Sequence, residues 1–345
     1  MKQKNVSLND IAKSLGVSRA LVSLVLNGKA AEHGIAESTC QRVLAKASEL
    51  NYKPNQLARS LRLGRSFTIG LVVSDISNIF YSKLARAIED LAERAGFSLV
   101  ICSTDEQVDK EQKLLRLLQN RQVEGIILSS SQADCDDLTR LKNDGIPLVL
   151  IDRKLGCKQF STVVSNNHLG GEIGTKHLID SGYKRPLALA ITPAHISTIS
   201  ERVKGYTDAV TEAGIAPWVA EVPFEEVPTY VESLIGRLKA ENRLPDSIFA
   251  LNNSVTSAAL VALKKHGLDV PASVGLISFD DIPYFEFMNP AISAVEQPIA
   301  KLAEVAFGRL MDQINGSSAT AYESLTVELP VNLIVRESTT KQQPN

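Results

Sequence analysis

The sequence predicts an α/β protein with an all-α head: three short helices in the first 54 residues, then a two-lobed core of doubly wound parallel sheets. Three observations lead there. Residues 7–27 read as two short helices around a tight turn. From Phe67 onward, near-continuous apolar strands alternate with amphipathic helices. Basic residues also crowd into the head: of 37 Lys+Arg and 39 Asp+Glu, residues 1–65 hold 11 and 4, which leaves 26 and 35 for the rest of the 345-residue chain. A cationic head on an acidic body suits a phosphate-seeking module joined to one that is not.

In the first helix Leu8, Ile11, Ala12 and Leu15 recur at the spacing of one buried face. Ser7 is its N-cap, and Asp10 favours the positive helix start. Gly16 turns the chain, and Ser18 caps a second helix running to about Leu26. At ~100° per residue, Leu21, Val22 and Val25 face the first helix, while Arg19, Ala20, Ser23 and Leu24 form the opposite arc. That arc is short in side chain and carries one Arg. It suits a DNA major groove, where Arg reaches guanine and small apolar groups meet thymine methyls. Asn27-Gly28-Lys29 ends the helix. A third helix, Glu37 to about Leu50, presents Cys40, Val43, Leu44, Ala47 and Leu50 and closes a small core. Pro54 stops helical continuation. Residues 55–65 hold Asn55 and the basic amphipathic run QLARSLRL, too short to be a stable helix alone and expected to order on docking.

In the core, strands are predicted at Phe67–Val73, Phe97–Cys102, Val123–Leu128 and Pro147–Ile151, with helices at Tyr81–Ala95, Asp109–Asn120 and Leu138–Asn143. A second round follows: helices Leu169–Asp180, Glu201–Glu212, Thr229–Ala240 and Val255–Lys265, with strands Leu187–Ile191, near Val219–Val222, Ser247–Leu251 and Val274–Phe279. A long helix Ile299–Ile314 and strands Glu323–Glu328 and Val331–Val335 complete it. Buried parallel strands give such unbroken apolar runs. Their number exceeds a usual open sheet, so two lobes with a cleft are expected. Ligands then sit beyond the strand carboxyl ends, at Ser74–Phe80, Ser129–Ser131, Asn252–Asn253 and Asp280–Asp281.

Composition narrows the function. Apolar residues make up 44% and charged residues 22%, as in soluble proteins. No run of 18 apolar residues occurs and MKQKNVSLND holds no hydrophobic signal segment, so a cytoplasmic protein without a membrane partner is expected. Cys40, Cys102, Cys135 and Cys157 lie far apart without CxxC or metal-ligand spacing and read as free thiols in a reducing compartment. No GxGxxG, GxxxxGK[ST], GxSxG or HExxH is present, and the five histidines are scattered. An enzyme is therefore not expected, nor a catalytic residue, metal site or cofactor.

SLNDIAKSLGVSRALVSLVLNGK, NYKPNQLARSLRLGRS, TIGLVVSDISNIF, ERVKGY and VGLISFDDIP, in this order over residues 7 to about 337, resemble the LacI/GalR family of bacterial transcription regulators. The resemblance implies a helix-turn-helix head (1–54), a hinge helix and linker (55–65) and a periplasmic-binding-protein-like effector core (66–345). The lobes are expected at about 66–165 plus 296–326, and about 166–295 plus 327–345. The chain would cross between them near Ser165–Asn167, Val295–Pro298 and about Val327. It further implies a homodimeric repressor on double-stranded operator DNA, answering to a sugar, sugar phosphate or nucleobase-like effector. The C-terminal ESTTKQQPN carries no leucine heptad for tetramers.

Carried over by residue, Ser18, Arg19, Ala20, Ser23, Leu24 and Asn27 would meet DNA from the recognition helix. Asn55, Leu57, Ala58, Arg59, Leu61 and Arg62 would meet it from the hinge, with Leu61 wedged between base steps. Leu24 departs from the Arg of many members, and Ala36 from a capping Ser. Asp75, Phe80, Arg202, Asn252 and Asp280 match the effector contacts. Asn166 and Asn253 stand where members usually carry Asp, which suggests a cleft poorer in carboxylates than is typical.

Overall fold

The computed structural model describes residues 6–52, 64–157, 159–193, 195–316 and 326–341. It divides into two compact units, Met1–Ser66 and Phe67–Asn345. The first holds helices α1 (Leu8–Leu15), α2 (Arg19–Leu26) and α3 (Glu37–Glu49). Ser7 and Asp10 cap α1 reciprocally: the Ser7 hydroxyl accepts from the Asp10 amide while the Asp10 carboxylate accepts from the Ser7 amide at 2.9 Å. Gly16 ends α1 in the left-handed region at φ 66°. Ile11, Ala12, Val22, Val25, Cys40, Val43 and Ala47 form the core of this unit. Ala36 leaves the start of α3 without a side-chain cap. The hinge residues Asn55, Leu57, Ala58, Arg59, Leu61 and Arg62 lie outside the described residues.

The second unit is two α/β lobes. Its first sheet runs β11-β5-β4-β3-β1-β2, with β1 Thr68–Val73, β2 Ser98–Ser103, β3 Gly125–Leu128, β4 Leu148–Ile151, β5 Ser161–Ser165 and β11 Thr326–Leu329, every pairing parallel. The second runs β12-β10-β9-β8-β6-β7, with β6 Pro186–Ile191, β7 Val219–Val222, β8 Ser247–Ala250, β9 Gly275–Phe279 and β10 Ser293–Glu296; only β12, Asn332–Ile334, is antiparallel. Alternate residues of the first sheet feed separate cores. Leu71, Val73 and Ile127 pack with helices α4 (Ile79–Arg94) and α11 (Ile299–Ile314), while Val72, Ile126 and Leu128 pack with α5 (Val108–Asn120) and α6 (Asp136–Asn143). The second sheet shares one core with α7 (Asn167–Asp180), α8 (Ser197–Glu212), α9 (Val227–Ala240) and α10 (Asn253–Lys265).

β5 and β10 are strands that periodicity did not reveal. STVVS and SAVE are short and serine-bearing, and become strands because parallel neighbours complete their hydrogen bonds. They lead into the first two interlobe crossings, at Asn166 and Gln297–Pro298. The third lies at Pro330–Val331, since Val327–Leu329 still pair with β5.

The reading of four free thiols needs correction: Cys135 and Cys157 are disulfide-bonded across 22 residues, and only Cys40 and Cys102 are free. Spacing could not show this, because β4 and its flanking loops bring the pair together through the tertiary fold.

Helices α7 and α8 cross without intervening side chains. A Cβ on Gly171 would run into the Arg202 carbonyl, and one on Gly205 into that of His168. Backbone cannot yield as a flexible side chain can. Gly171→Ala is therefore expected to cost about 2–3 kcal/mol, read as a lower urea midpoint with an unchanged slope.

Candidate functional site

On the head, α2 turns Arg19 and Ala20 fully outward and leaves Ser23 and Leu24 half-exposed, while Val22 and Val25 are buried. Ser18 and Asn27 are also exposed, but their polar atoms serve the helix ends. The Ser18 hydroxyl accepts from the Leu21 amide at 3.1 Å, and Asn27 Nδ2 donates to the Ser23 carbonyl at 2.6 Å. One face thus offers a guanidinium, a methyl, a hydroxyl and an isobutyl group.

In the core, Asp75, Phe80, Arg202, Asn252 and Asp280 line one cavity of ≈ 270 Å³ between the lobes. Sheet order explains their meeting. The strand sequence reverses between β1 and β3 in one sheet and between β6 and β8 in the other, and the segments just past β1, β6 and β8 supply Ser74–Asp75, Thr192 and Asn252.

Arg202 is only 4% exposed, with its guanidinium carbon 3.6 Å from the centre of the Phe279 ring. Nε donates to Asn167 Oδ1 at 2.9 Å and Nη1 to the Leu251 carbonyl at 2.7 Å. Burial pulls its pKa down, against the opposing charges of Asp280 and Asp152. Asp280 follows β9 at φ 78°, a strained setting for a non-glycine residue. Its Oδ1 accepts from Gln297 Nε2 at 2.6 Å and its Oδ2 from Asn253 Nδ2 at 3.1 Å. Asn253 Nδ2 also reaches Asn78 Oδ1 at 2.9 Å, linking the lobes across the cleft. Asn252 spends Oδ1 capping α10 through the Val255 amide, and Asp75 accepts from the Ser77 amide and hydroxyl. Phe80 packs edge-on against Tyr81.

The opposite wall, at the end of β4, was missed in sequence. Asp152, at φ 70°, and Arg153 line the cavity beside Tyr81 and Glu106. Tyr81 donates to Asp152 Oδ2 at 2.8 Å. Arg153 forks onto Glu106 at 2.7 and 2.5 Å and also reaches the Ser130 carbonyl and Ser131 hydroxyl. Burial raises the pKa values of Asp152 and Tyr81. It also works against the charge of Glu106, but hydrogen bonds and charge from Arg153 outweigh it and hold that carboxyl low. Ser129–Ser131, expected at the cleft, are buried and turned inward on Tyr81, Glu106, Glu111 and Arg153. Four carboxylates, Asp75, Glu106, Asp152 and Asp280, line the cavity. A charged Asp-Arg pair closing the apolar strand PLVLI was the overlooked signal. Among the buried side-chain atoms without a hydrogen bond, Gln297 Oε1 and Arg153 Nε belong to residues that line the cavity.

Residues 7–55 match the family model "Bacterial regulatory proteins, lacI family", and residues 66–326 match "Periplasmic binding proteins and sugar binding domain of LacI family". The ribose operon repressor of Halalkalibacterium halodurans is 34% identical over 96% of this chain and 97% of its own. A periplasmic binding protein/LacI transcriptional regulator from Alkaliphilus metalliredigens, solved with D-xylulofuranose, is 28% identical with a TM-score of 0.69, covering 79% of this chain and 99% of that one. The lac repressor dimer, solved with operator and the anti-inducer ONPF, shares the fold at a TM-score of 0.83 and 24% identity, covering 97% and 99%.

Because Glu106 has a depressed pKa, the stability it contributes is complete above its ordinary value near 4.5 and is lost as pH falls through the folded value. Glu106→Gln takes the bidentate charge from buried Arg153 and leaves it only the Asp152 carboxylate, 3.8 Å from its Nε. It is expected to cost about 3–5 kcal/mol at pH 7 and to flatten the acid limb, both read by urea unfolding at pH 7 and 3.5.

Proposed function

The chain belongs to the LacI family, DNA-binding repressors with an effector-binding core and not enzymes. From that premise we propose a cytoplasmic homodimer that grips a near-palindromic operator and releases or holds it according to a neutral sugar in the interlobe cleft. The functional division is a head (1–54), a hinge (55–65) and a core (66–345).

The exposed arc of α2 supports the head's part. Arg19, Ala20, Ser23 and Leu24 enter the major groove, and Ser18 and Asn27 flank them at the helix ends. Leu24 in place of Arg forgoes a guanine contact of ~1–3 kcal/mol and favours a thymine methyl. In the hinge, Leu61 is the minor-groove wedge, with Leu57 and Ala58 on its face and Arg59, Arg62 and Asn55 on the backbone. Exposed apolar side chains on the second lobe, Val261, Tyr284 and Phe287, the last 83% exposed, fit a face covered by a second copy. No described helix is long and apolar enough to cross a membrane.

The observation that carries the effector reading is the charge of the cavity lining. Four carboxylates face two guanidiniums, Arg153 and Arg202, among amides and hydroxyls. At an effective dielectric of ~20, like charges ~5 Å apart repel by about 3 kcal/mol, which disfavours a sugar phosphate. A neutral polyol instead donates to carboxylates and accepts from guanidiniums. Its hydroxyls also suit the orphaned Gln297 Oε1 and Arg153 Nε. The relatives named for ribose and solved with D-xylulofuranose make a pentose the first ligand to try.

D-ribose is expected to raise the melting temperature and change operator affinity, with ribose 5-phosphate at least roughly tenfold weaker. Tighter binding of the phosphate would overturn the neutral-sugar reading. Arg202→Lys keeps a charge but loses the fork; it should abolish the sugar response while operator binding in gel shift stays intact. Leu61→Ala should weaken specific operator binding far more than binding to random duplex, and equal losses would remove Leu61 from the wedge role.

A further inference from the structure

We propose that the Cys135–Cys157 pair is a reversible oxidation site that sets how firmly Arg153 is held in the cleft. The link to effector affinity rests on the cleft being the sugar site; the link to loop order does not.

The disulfide joins the two loops that meet at Arg153. Cys135 immediately precedes α6 and ends the loop containing Ser130 and Ser131. Cys157 lies four residues beyond Arg153. Between these loops, Arg153 Nη1 donates to the Ser130 carbonyl at 3.2 Å and to the Ser131 hydroxyl at 3.3 Å. The same serine loop holds the buried Glu111 carboxylate through the Ser131 amide at 2.7 Å. The sulfur bridge is thus a further fastening, set beside the hydrogen-bonded ones, across this pair of loops.

The pair is reachable. A surface depression of ≈ 670 Å³ is lined by both cysteines with Asp134, Asp136, Thr139 and Gln159. Cys157 is the more exposed of the two. In the reducing compartment of a bacterial regulator, a disulfide forms and breaks with redox conditions rather than persisting as a permanent staple. The oxidant class is a small-molecule disulfide. The Cys157 thiolate attacks one of its sulfurs and expels one thiolate, leaving a mixed disulfide on Cys157. The Cys135 thiolate then attacks the Cys157 sulfur and expels the second thiolate. Two electrons pass from the cysteines to the reagent, and the two protons end on the expelled thiols. Excess thiol reverses both steps.

Closing the ring removes freedom from both loops before a ligand arrives, so Arg153 is ordered in advance. Reduction is expected to weaken sugar binding by roughly 2- to 10-fold, the ordering cost of one long side chain and its loop.

The test equilibrates the full chain in oxidising and reducing glutathione buffers. Intact mass and peptide mapping follow the bond, amide hydrogen exchange follows residues 129–135 and 152–157, and calorimetry follows D-ribose. Oxidation should remove two hydrogens in a Cys135–Cys157 peptide, slow exchange in both loops and tighten ribose binding. Cys135→Ser/Cys157→Ser should sit at the reduced values in both buffers, while Cys102→Ser should still respond. A different cysteine pairing, no bond at all, or identical exchange in the two buffers overturns the proposal. Slower exchange with unchanged ribose affinity overturns the coupling to the cleft. If ribose binds in neither buffer, the pentose reading fails, and the exchange rates still decide the redox site.

Discussion

The cleft exists because two nearly all-parallel sheets are joined by three crossings, and this constraint governs where each functional side chain stands. Parallel strands send their carboxyl ends the same way. With three crossings the sheets cannot swivel apart freely, so their carboxyl ends remain opposed across a narrow gap. Residues just past β1, β4, β6, β8 and β9 are thereby delivered to one cavity. That is why a carboxylate from residue 75, one from 152 and one from 280 share a space though they are far apart in the chain.

Much of this was legible in sequence for identifiable reasons. Helix–strand alternation located the two lobes because buried parallel strands are unbroken apolar runs. Asn252 and Asp280 stand just past apolar strands, where a parallel sheet places its ligands, whereas Arg202 was singled out only by the resemblance of ERVKGY to the family; all three line the cavity. Asp152 and Arg153 obey the same rule and were overlooked, since IDRK looks like an ordinary charged exit from a strand. Nothing local distinguishes a salt bridge facing solvent from one folded inward onto Glu106. β5 and β10 escaped because neighbours in the sheet, rather than their own composition, make them strands. Cys135 and Cys157 escaped because their meeting depends on the path of β4.

The Glu106–Arg153 pair shows how the wall of the cleft holds nearly buried charge. Its members are buried deeply enough that burial alone would oppose ionisation, yet two parallel N–H···O bonds and neighbouring serines hold both charged. Such a pair contributes little net stability compared with apolar packing of the same volume. Its value lies in direction: the fork onto Glu106 fixes the plane of the guanidinium in the cavity wall.

The glycine contact between α7 and α8 has a mechanical consequence. With backbone resting on backbone at Gly171 and Gly205, the two helices are one stiff plate. Arg202 sits on that plate and holds Asn167, the residue just past the first crossing. A ligand bound to Arg202 in the proposed way would therefore pull on the first crossing through the Arg202–Asn167 hydrogen bond.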